Sequence, residues 1–428
     1  MRTLLVAALL PLFAIGKDLP VADQAELDAA IQAAEPGDSI VLREGTWVDL
    51  KIRFVGKGSS TSPITLRSAV PGKTILTGKS QIRISGEYLT VDGLWIKDPD
   101  PSVGDTVEFR ADSKSLARHC RLTNSAVTMS SGSAASVVDS RWVNLYGSDN
   151  RVDHCFIEGK NNGGTTLVVW LGNGQEGRHR IDGNYFGARE PLGRNGGETI
   201  RVGVSKTSMQ TAACVIEKNL FERCDGEAEC ISNKSCGNVY RGNSFVAVSG
   251  ALTLRHGNGC TVEENIFHGE SAKGTGGIRI IGEDHIVRRN FLSDLAGDDA
   301  RSGITLMMGI PDSPAHGYFQ VKRARIENNV LVNCRHPILI GLSNSKNATL
   351  PPIDTVFADN VVTTDQAVVE ARCATDGLQW EGNSFWGKEL GIPKPEGVDW
   401  RVVKVERQRA LTQADVGPAW WGDSNQQN

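Results

Sequence analysis

A short acidic segment followed by a lysine is the part of this sequence whose residue types could do chemistry. The segment CDGEAECISNKS, residues 224–235, contains Glu227 and Glu229 and then Lys234. Further along the chain, Arg255 lies in LTLRHG and Arg279 lies in GGIRII. Carboxylates can hold a metal ion, and a lysine beside positive charge can act as a base. The pattern therefore indicates a site that combines a cation, a base and arginines.

An earlier stretch offers further oxygen ligands. In GRNGGETIR, residues 193–201, Asn195 has an amide oxygen and Glu198 has a carboxylate. Two carboxylates, from Glu227 and Glu229, together with the amide oxygen of Asn195 suit a hard cation such as Ca²⁺. We therefore predict a Ca²⁺ site at these three residues. Glu198 stays open between a supporting hydrogen bond and a role in a turn.

A cation beside a lysine and an arginine is what β-elimination from a uronic acid polymer requires. The C5 proton of a uronate is weakly acidic because the adjacent carboxylate is already negative. A divalent cation on that carboxylate would stabilise the enolate that forms when the proton leaves. Lys234 can take that proton if the cation and Arg255 favour its neutral form. The residue set therefore favours elimination at an acidic polysaccharide.

The elements that must position these residues are short and repetitive. An asparagine followed by an apolar pair or by Ser-Phe recurs at positions 184, 219, 243, 265, 290, 329, 360 and 383, and four of these are spaced by 24, 22 and 25 residues. This period, with short apolar runs and glycine breaks, predicts an all-β parallel β-helix. A leucine-rich repeat is disfavoured because its leucine spacing is absent, and a β-sandwich would show no fixed asparagine column. We expect the asparagines to occupy turns, where they tolerate left-handed backbone, and to stack into a ladder.

Alignment of the coils by these asparagines brings the cations together. Lys234, Arg255 and Arg279 lie nine, ten and eleven residues before the asparagine of their own coil. Their apolar neighbours alternate, so each cation should face outward. We predict a cationic stripe on one outer face. Strict alternation would place Glu229 and Lys234 on opposite faces, so a bend is also needed, for which Asp225-Gly226 is the turn signal.

The two ends of the chain depart from the repeat. MRTLLVAALLPLFAIG, residues 1–16, has the charged start, apolar core and small-residue end of a signal peptide, so we expect a secreted or periplasmic protein. Residues 22–47 predict an amphipathic helix that Pro36-Gly37 ends, followed by a strand. Residues 17–400 are then one β-helix catalytic domain with this N-terminal cap, and residues 401–428 form a C-terminal tail that covers the last coil.

Composition narrows the possible partners. The net charge is −4, so an acidic polymer must be attracted by a local groove rather than by a global field, and we expect neither nucleic acid nor a membrane as partner. The nine cysteines include no C-x-x-C pair, which argues against zinc. Their pairing cannot be read from the spacing. A monomer is the expected state, with oligomers left open.

The combined motif resembles polysaccharide lyase family 6, which contains alginate lyases and the dermatan sulfate lyase chondroitinase B. The resemblance runs from the cap helix to LTQADVGP. It implies a right-handed parallel β-helix and Ca²⁺-dependent β-elimination of an acidic polysaccharide. Residue by residue, it implies the following roles: base for Lys234; acid for Arg255; calcium ligands for Asn195, Glu227 and Glu229; and binding of substrate carboxylates for His256 and Arg279.

Alternative functions make different demands on the sequence. A glycoside hydrolase needs two catalytic carboxylates, whereas here the glutamates are followed by a lysine and arginines. The Tyr-Gly and Asp-Pro-His signature expected of a mannuronan C5-epimerase is missing. A non-catalytic polysaccharide-binding β-helix needs none of these residues. Among lyases, NGGETIR and the compact loops favour alginate over dermatan sulfate, and the preference for mannuronate, guluronate or mixed blocks stays open.

Overall fold

The computed structural model describes residues 16–172, 174 and 176–422, and these form a right-handed parallel β-helix. Three parallel sheets run the length of the solenoid, and a typical coil contributes one short strand to each sheet, while Val107–Glu108 and Ala117–Arg118 both pair with Gln81–Glu87. The predicted all-β fold is confirmed. Apart from Gly16, the predicted signal peptide lies outside the described residues. Within the described ranges, no helix has the length and apolar character needed to cross a membrane.

Strand bounds show how short each step of the solenoid is. The first sheet contains Asp18–Val21, Ser39–Leu42, Ile64–Ser68, Leu89–Asp92, Arg121–Thr123, Arg151–Asp153, Arg180–Asp182, Val215–Glu217, Val239–Arg241, Thr261–Glu263, Ile286–Arg288, Arg325–Glu327, Thr355–Ala358 and Leu378–Glu381. The second contains Lys51–Lys57, Gln81–Glu87, Val107–Glu108, Ala117–Arg118, Val143–Leu145, Leu167–Val169, Ile200–Val202, Glu229–Lys234, Ala251–His256, Ile278–Ile280, Ile304–Met307, Ile338–Leu342 and Val369–Ala371. The third contains Gly45–Val48, Thr74–Gly78, Leu94–Pro99, Ala126–Thr128, Phe156–Glu158, Tyr185–Phe186, Leu220–Glu222, Ser244–Val246, Ile266–His268, Phe291–Ser293, Val330–Val332, Val361–Thr363, Asn383–Trp386 and Val398–Trp400.

The predicted asparagine ladder is present from Asn184 to Asn383. At a typical rung, Asn243 Oδ1 accepts the backbone N–H of Asn219 at 3.1 Å and its Nδ2 at 3.0 Å. Asn243 Nδ2 donates to the carbonyl of Ile216 and to Asn265 Oδ1. Each buried amide is therefore satisfied by neighbouring coils, which fixes the coil stacking in register.

The conformation of the ladder differs from the expectation. The left-handed backbone falls on the residue before each asparagine, as at Lys218 with φ 53° and Gly242 with φ 62°, and not on the asparagine itself. This turn residue reverses the chain and directs the next side chain inward. Asn219 and Asn243 are consequently fully buried, and they bond other coils rather than their own turn.

Aromatic and aliphatic side chains fill the rest of the interior. Phe186, Phe221, Phe245 and Phe267 stack coil on coil with centroid separations of 5.0, 4.7 and 4.4 Å. Such offset stacking adds to the burial of apolar surface. All nine cysteines are free thiols, and seven of them are buried in these walls. They therefore act as small apolar residues rather than as cross-links.

The N-terminal cap agrees with the sequence. The helix Gln24–Ala33 begins after Asp23, whose side chain accepts the N–H of Glu26, and it buries Leu27 against the first coils. It ends before Pro36-Gly37, as predicted. Three short 3₁₀ turns lie in the connections, at Pro101–Val103, Ser205–Thr207 and Asp299–Arg301.

The C-terminal tail takes a different path from the one expected. Its described part does not cover the last coil but runs back along the third sheet, where Leu411 N–H bonds Ser244 and Trp420 Nε1 donates to the carbonyl of Asn124. Trp421 stacks on Phe156 with centroids 4.2 Å apart. The physical reason is an apolar outer face on this sheet that would otherwise be exposed to water.

Loss of one ladder asparagine should destabilise the fold strongly. In Asn265→Ala, the backbone N–H and Nδ2 of Asn243 lose their acceptor inside a dry core. We expect the free energy of unfolding to fall by about 3 kcal/mol or more. Urea unfolding of this variant measures the loss, and Asn347→Ala, at an exposed asparagine, is the control. Equal midpoints for the two variants would contradict a structural role for the ladder.

Two buried histidines should make the fold sensitive to acid. Burial lowers the pKa of His179 and of His285 to about 4, and both rings are fully enclosed. Unfolding lets them take up protons, so stability is fully present above pH 6.5 and is lost as the pH falls toward 4, by about 3 kcal/mol per histidine.

The measurement for this prediction is the melting temperature between pH 7 and pH 4. His285 Nδ1 accepts the N–H of Cys260, a bond that asparagine makes at the equivalent corner of Cys214. The variant His285→Asn should therefore keep the bond and lose less stability in acid than the wild type. His119→Asn, at an exposed ring, should leave the slope unchanged. A steep acid loss that is the same in all three proteins would contradict the assignment.

Candidate active site

Two irregularities in the strand Glu229–Lys234 create the candidate site. Its pairing with Ala251–His256 shifts register between Glu229 and Ile231 and again between Asn233 and Lys234. A β-bulge inserts an unpaired residue and changes which face the following side chains point to. The bend that the sequence required is therefore supplied by these bulges and not by Asp225-Gly226 alone.

Lys234 lies next to a buried carboxylate. Its Nζ is 3.9 Å from Glu198 Oε1, and its side chain is 21 % exposed. Glu198 is buried, and its other oxygen accepts a hydrogen bond from Thr165 at 3.1 Å. Thr165 thus orients the carboxylate, and the carboxylate orients the lysine. The open question about Glu198 is answered in favour of a supporting contact to Lys234.

Glu227 is held by the loop that carries Asn195. Its Oε2 accepts the backbone N–H groups of Gly196 at 2.8 Å and Gly197 at 3.0 Å. A Cβ on Gly197 would lie 2.2 Å from the carbonyl oxygen of Gly226, so only glycine allows this approach of the two segments. Asn195 itself is exposed and directly precedes this glycine pair. The structure therefore brings Asn195 and Glu227 into one neighbourhood.

Arg189 holds the loop that carries Asn195 in place. Its guanidinium is buried and donates to the backbone carbonyls of Gly196 at 3.2 Å and Glu198 at 2.8 Å, as well as to neighbouring carbonyls at Asn162 and Gly164. Burial lowers the pKa of Arg189 to about 10, which leaves it charged at neutral pH. The loop is thus held by charge-assisted bonds to its main chain.

Glu229 faces Arg279 across the neighbouring coils. Arg279 Nη1 lies 3.3 Å from Glu229 Oε1, and Ser232 donates to the other carboxylate oxygen. Arg279 is almost fully buried, and its Nε has no hydrogen-bond partner in the described chain. The charge of Arg279 is therefore balanced within the site by Glu229.

Arg255 and His256 form the other side of the site. Arg255 donates to the carbonyl of Gly317 at 2.9 Å, and its guanidinium carbon lies 4.0 Å from the ring centroid of Tyr318. His256 is buried between Arg255 and Ser205, and burial together with the charges of Arg255 and Lys234 lowers its pKa to about 3. His256 is therefore neutral at physiological pH.

The cations share one face but do not form a single column. Lys234 pairs with His256, whereas Arg279 pairs with Thr253, three positions earlier in the same strand. The difference arises before the bulge, because Ser232 pairs with Thr253 and Thr253 with Arg279, and the bulge that follows leaves Arg255 without a paired residue beside Lys234. The predicted stripe is therefore two adjacent columns.

The electrostatics of the glutamates favour a bound cation. Burial raises the pKa of Glu227 to about 7, with further increases from the charges of Glu198 and Glu229. Carboxylate and amide oxygens are the donors that Ca²⁺ prefers, so Asn195, Glu227 and Glu229 fit that ion chemically. No group of three or more Asp, Glu, His or Cys side chains in the described residues is arranged to hold a metal by itself. The set would thus depend on the Asn195 amide and on oxygens from water or substrate.

Comparison with known proteins identifies the family. A family model described as chondroitinase B matches residues 21–414. The chain belongs to this family, polysaccharide lyase family 6. The resemblance stated from the sequence is thereby confirmed. No curated protein shows significant similarity to the chain.

Solved structures of family 6 lyases agree with this assignment. The alginate lyase AlyGC is 39% identical with a TM-score of 0.87, and the match covers 94% of this chain and 56% of AlyGC. A mannuronic acid specific family 6 lyase from human gut microbiota is 30% identical with a TM-score of 0.82, over 95% of this chain and 97% of that one. A family 6 alginate lyase in complex with a trisaccharide is 25% identical with a TM-score of 0.78, over 94% and 95%. This chain thus spans just over half the length of AlyGC.

Sequence reasoning missed three residues of this family 6 site. Tyr318 contacts both arginines, since its hydroxyl accepts from Arg279 Nη2 at 3.1 Å and its ring faces Arg255. It lies in a strandless loop, so no periodic signal could place it. The other two, Thr165 and Arg189, act on Glu198 and on its loop. Only a three-dimensional structure relates such distant positions.

Proposed function

We propose that the protein is an exported lyase that cleaves alginate by Ca²⁺-assisted β-elimination and releases unsaturated uronate oligosaccharides. The observation that carries this proposal is the juxtaposition of Lys234, oriented by Glu198, with Arg255 and Arg279 beside the glutamates. Membership in family 6 supports the same reaction class. Export rests on the signal-like residues 1–16.

Lys234 is the proposed base. It is partly exposed and stands on the groove face, while Thr165 and Glu198 restrict where its ammonium group can go. In its neutral form it would take the C5 proton of the uronate, and the electron pair left at C5 would form the C4=C5 double bond as the C4–O4 bond breaks. The electrons of that bond leave with O4, which takes up a proton from water. Positioning of this kind supplies a large part of a base's catalytic effect.

The proposed Ca²⁺ ligands are Asn195, Glu227 and Glu229. When bound, the ion would neutralise the uronate carboxylate and so make the C5 proton more acidic. The chain's own contribution is to hold Glu227 against the loop that carries Asn195, with the charge of Glu229 near enough to act on Glu227. Arg189 and the paired glycines keep their segments close.

The two arginines are proposed to stabilise the negative charges of a substrate carboxylate and of the leaving oxygen. Arg279, which is held between Glu229 and the Tyr318 hydroxyl, would bind a substrate carboxylate, as a planar guanidinium does well. Arg255, clamped by Tyr318 and the Gly317 carbonyl, would stabilise the developing charge on the leaving oxygen. His256 is neutral and buried, so its proposed contribution to substrate binding operates through its hydrogen bond with Arg255.

Alginate is the proposed substrate because the similar structures at 39% and 30% identity are an alginate lyase and a mannuronic acid specific lyase. Dermatan sulfate is the second candidate, since the matching family model is described as chondroitinase B. A β-helix that only binds polysaccharide is the third. The expected product is ultraviolet-absorbing in both enzymatic cases, so the polymers must be compared side by side.

Removal of the Lys234 amine should abolish turnover but not binding. In Lys234→Ala, we expect the rate of appearance of the C4=C5 absorbance on poly-mannuronate, poly-guluronate or mixed alginate to fall by about 10³-fold. Lys346→Ala, at an exposed lysine, should retain the wild-type rate. Calorimetric binding of the same polymer should persist in both variants. A rate within tenfold of wild type in Lys234→Ala would exclude this residue as the base.

Calcium should stabilise the protein through Glu227. Because the ion would bind only the folded site, Ca²⁺ at about 100 times its dissociation constant should add about 2.7 kcal/mol of stability. We expect a higher melting temperature with Ca²⁺ than with chelator, and loss of that difference in Glu227→Gln. Glu44→Gln, at an exposed glutamate, should keep the difference. Identical melting curves with and without Ca²⁺ in the wild type would remove calcium from the proposal.

A further inference from the structure

Lys160 is a buried lysine that the proposed mechanism does not use. Its side chain is 2 % exposed and makes no ion pair within the described part of the chain. Its Nζ donates to the backbone carbonyls of Asn162 at 2.9 Å and Gly163 at 3.0 Å, and also to Oδ1 of Asn162. A buried amine that bonds only main-chain and amide oxygens holds a segment of the chain in place. We call residues 162–163 the held segment.

The charge of Lys160 does not decide whether these contacts form. Burial, and after it the charge of Arg189, lowers the pKa of Lys160 to about 6. An ammonium group has three N–H groups, and a neutral amine still has two. Both forms therefore donate to Asn162 and to Gly163, and a lysine can be buried here without a carboxylate beside it.

The held segment leads directly to the proposed base. Thr165 follows it by two residues, and the Thr165 hydroxyl donates to Glu198 Oε2 at 3.1 Å. The other carboxylate oxygen, Glu198 Oε1, lies 3.9 Å from the Nζ of Lys234. Because the chain between the held segment and Thr165 is so short, a shift of the segment would move this hydroxyl. The carboxylate and the amine that it orients would move with it.

Arg189 binds the held segment from the next coil. Its Nη2 donates to the carbonyl oxygens of Asn162 at 3.1 Å and Gly164 at 2.9 Å. The same nitrogen donates to the carbonyl of Gly196 at 3.2 Å, in the loop of the proposed Ca²⁺ ligands. Lys160 and Arg189 thus share the carbonyl of Asn162. Together they join the segment that leads to the base with the loop that leads to the metal ligands.

The β-helix itself does not need a cation at this corner. Ile157 pairs with Phe186 of the next coil. Lys160 and Arg189 follow these two residues by three positions, so they occupy equivalent corners of successive coils. On the coil after that, the residue paired with Arg189 is Cys224, which is buried and uncharged. An apolar side chain can therefore fill this corner, and the amine of Lys160 has a local role.

We propose that Lys160 is a positioning residue for the base Lys234. It fixes the held segment, and the segment acts through Thr165 and Glu198 on the amine that takes the proton. The inference rests on the proposed function, because it takes Lys234 as the base. A displacement of about 1 Å at a reacting group can slow a reaction by about 10²-fold, so contacts of this kind affect the rate without touching the substrate.

The variants for the test are Lys160→Met, Thr165→Val and the double variant. Methionine fills a similar volume and removes the N–H groups. The fold should persist, because the carbonyl of Asn162 keeps its bond from Arg189 and the carbonyl of Gly163 keeps the backbone N–H of Ser140. If Lys160→Met nevertheless does not fold, Lys160→Gln, which retains two N–H groups on a shorter side chain, replaces it in the same comparisons.

The first measurement is kcat and KM on the uronate polymer that the wild type cleaves fastest. We expect kcat to fall about tenfold in each single variant, with KM within about twofold of the wild type. The double variant should be no slower than the slower single variant, because both substitutions interrupt the same series of contacts. Lys346→Met, at an exposed lysine, is the control and should keep the wild-type kcat.

Hydrogen exchange gives a second measurement that does not depend on turnover. The backbone N–H of Ser140 donates to the carbonyl of Gly163 at 3.0 Å, and that of Thr166 donates to the carbonyl of Glu198 at 3.1 Å. In Lys160→Met both amides should exchange about tenfold faster than in the wild type. Amides of the strand Ile286–Arg288, in the first sheet, should exchange at the wild-type rate.

Each outcome decides the proposal. A kcat within twofold of the wild type in Lys160→Met, the same loss in Lys346→Met, or losses that multiply to about 100-fold in the double variant would overturn it. If the wild type cleaves none of the uronate polymers, the proposed reaction fails, and hydrogen exchange then tests Lys160 on its own. Faster exchange confined to the amides of Ser140 and Thr166 supports the positioning of Glu198 by Lys160, and unchanged exchange overturns it.

Discussion

The rest of this structure depends on the asparagine ladder, which gives the buried amide groups of successive coils their hydrogen-bond partners. Strands of three or four residues cannot bury a face alone, so the coils are stable only when stacked. Each ladder asparagine bonds the coil before it and the coil after it, as Asn243 does with Asn219 and Asn265. One register is thereby imposed on the whole solenoid. Outward-facing side chains of successive coils are therefore aligned with one another and are separated by the distance between coils.

The site forms where the outer face departs from this regularity. Two register shifts in the pairing of Glu229–Lys234 with Ala251–His256 change the directions of the side chains at the strand ends, and the glycine pair at Gly196 and Gly197 allows a neighbouring loop to contact Glu227. Burial, and after it the charges of Glu198 and Glu229, raise the pKa of Glu227 at this place. The rigid ladder makes such an arrangement tolerable, because the energetic cost at the site is offset by many satisfied bonds beneath it.

The structural features that recur from coil to coil can be predicted from the sequence, and those that occur only once cannot. The ladder positions, the cap helix and the outward direction of Arg255 follow from periodicity and capping chemistry, and the family follows from the glutamates, the lysine and the arginine. The register of neighbouring strands carries no signal at the precision of one or two residues, so the sequence predicts one column of cations where the structure has two. Tyr318 reaches the site from an irregular loop, and the tail turns back along the third sheet because of an apolar face that only the assembled sheet presents. These features depend on contacts between residues far apart in the chain.

The central claim is that this fold breaks a uronate polymer by elimination rather than by hydrolysis. The most direct measurement is mass spectrometry of the oligosaccharides released from poly-mannuronate, poly-guluronate and dermatan sulfate in ¹⁸O-labelled water. Elimination predicts new ends that are one water lighter than hydrolytic ends and that gain no ¹⁸O at the cleaved bond. Products that carry one added labelled water, without the C4=C5 double bond, would contradict the account.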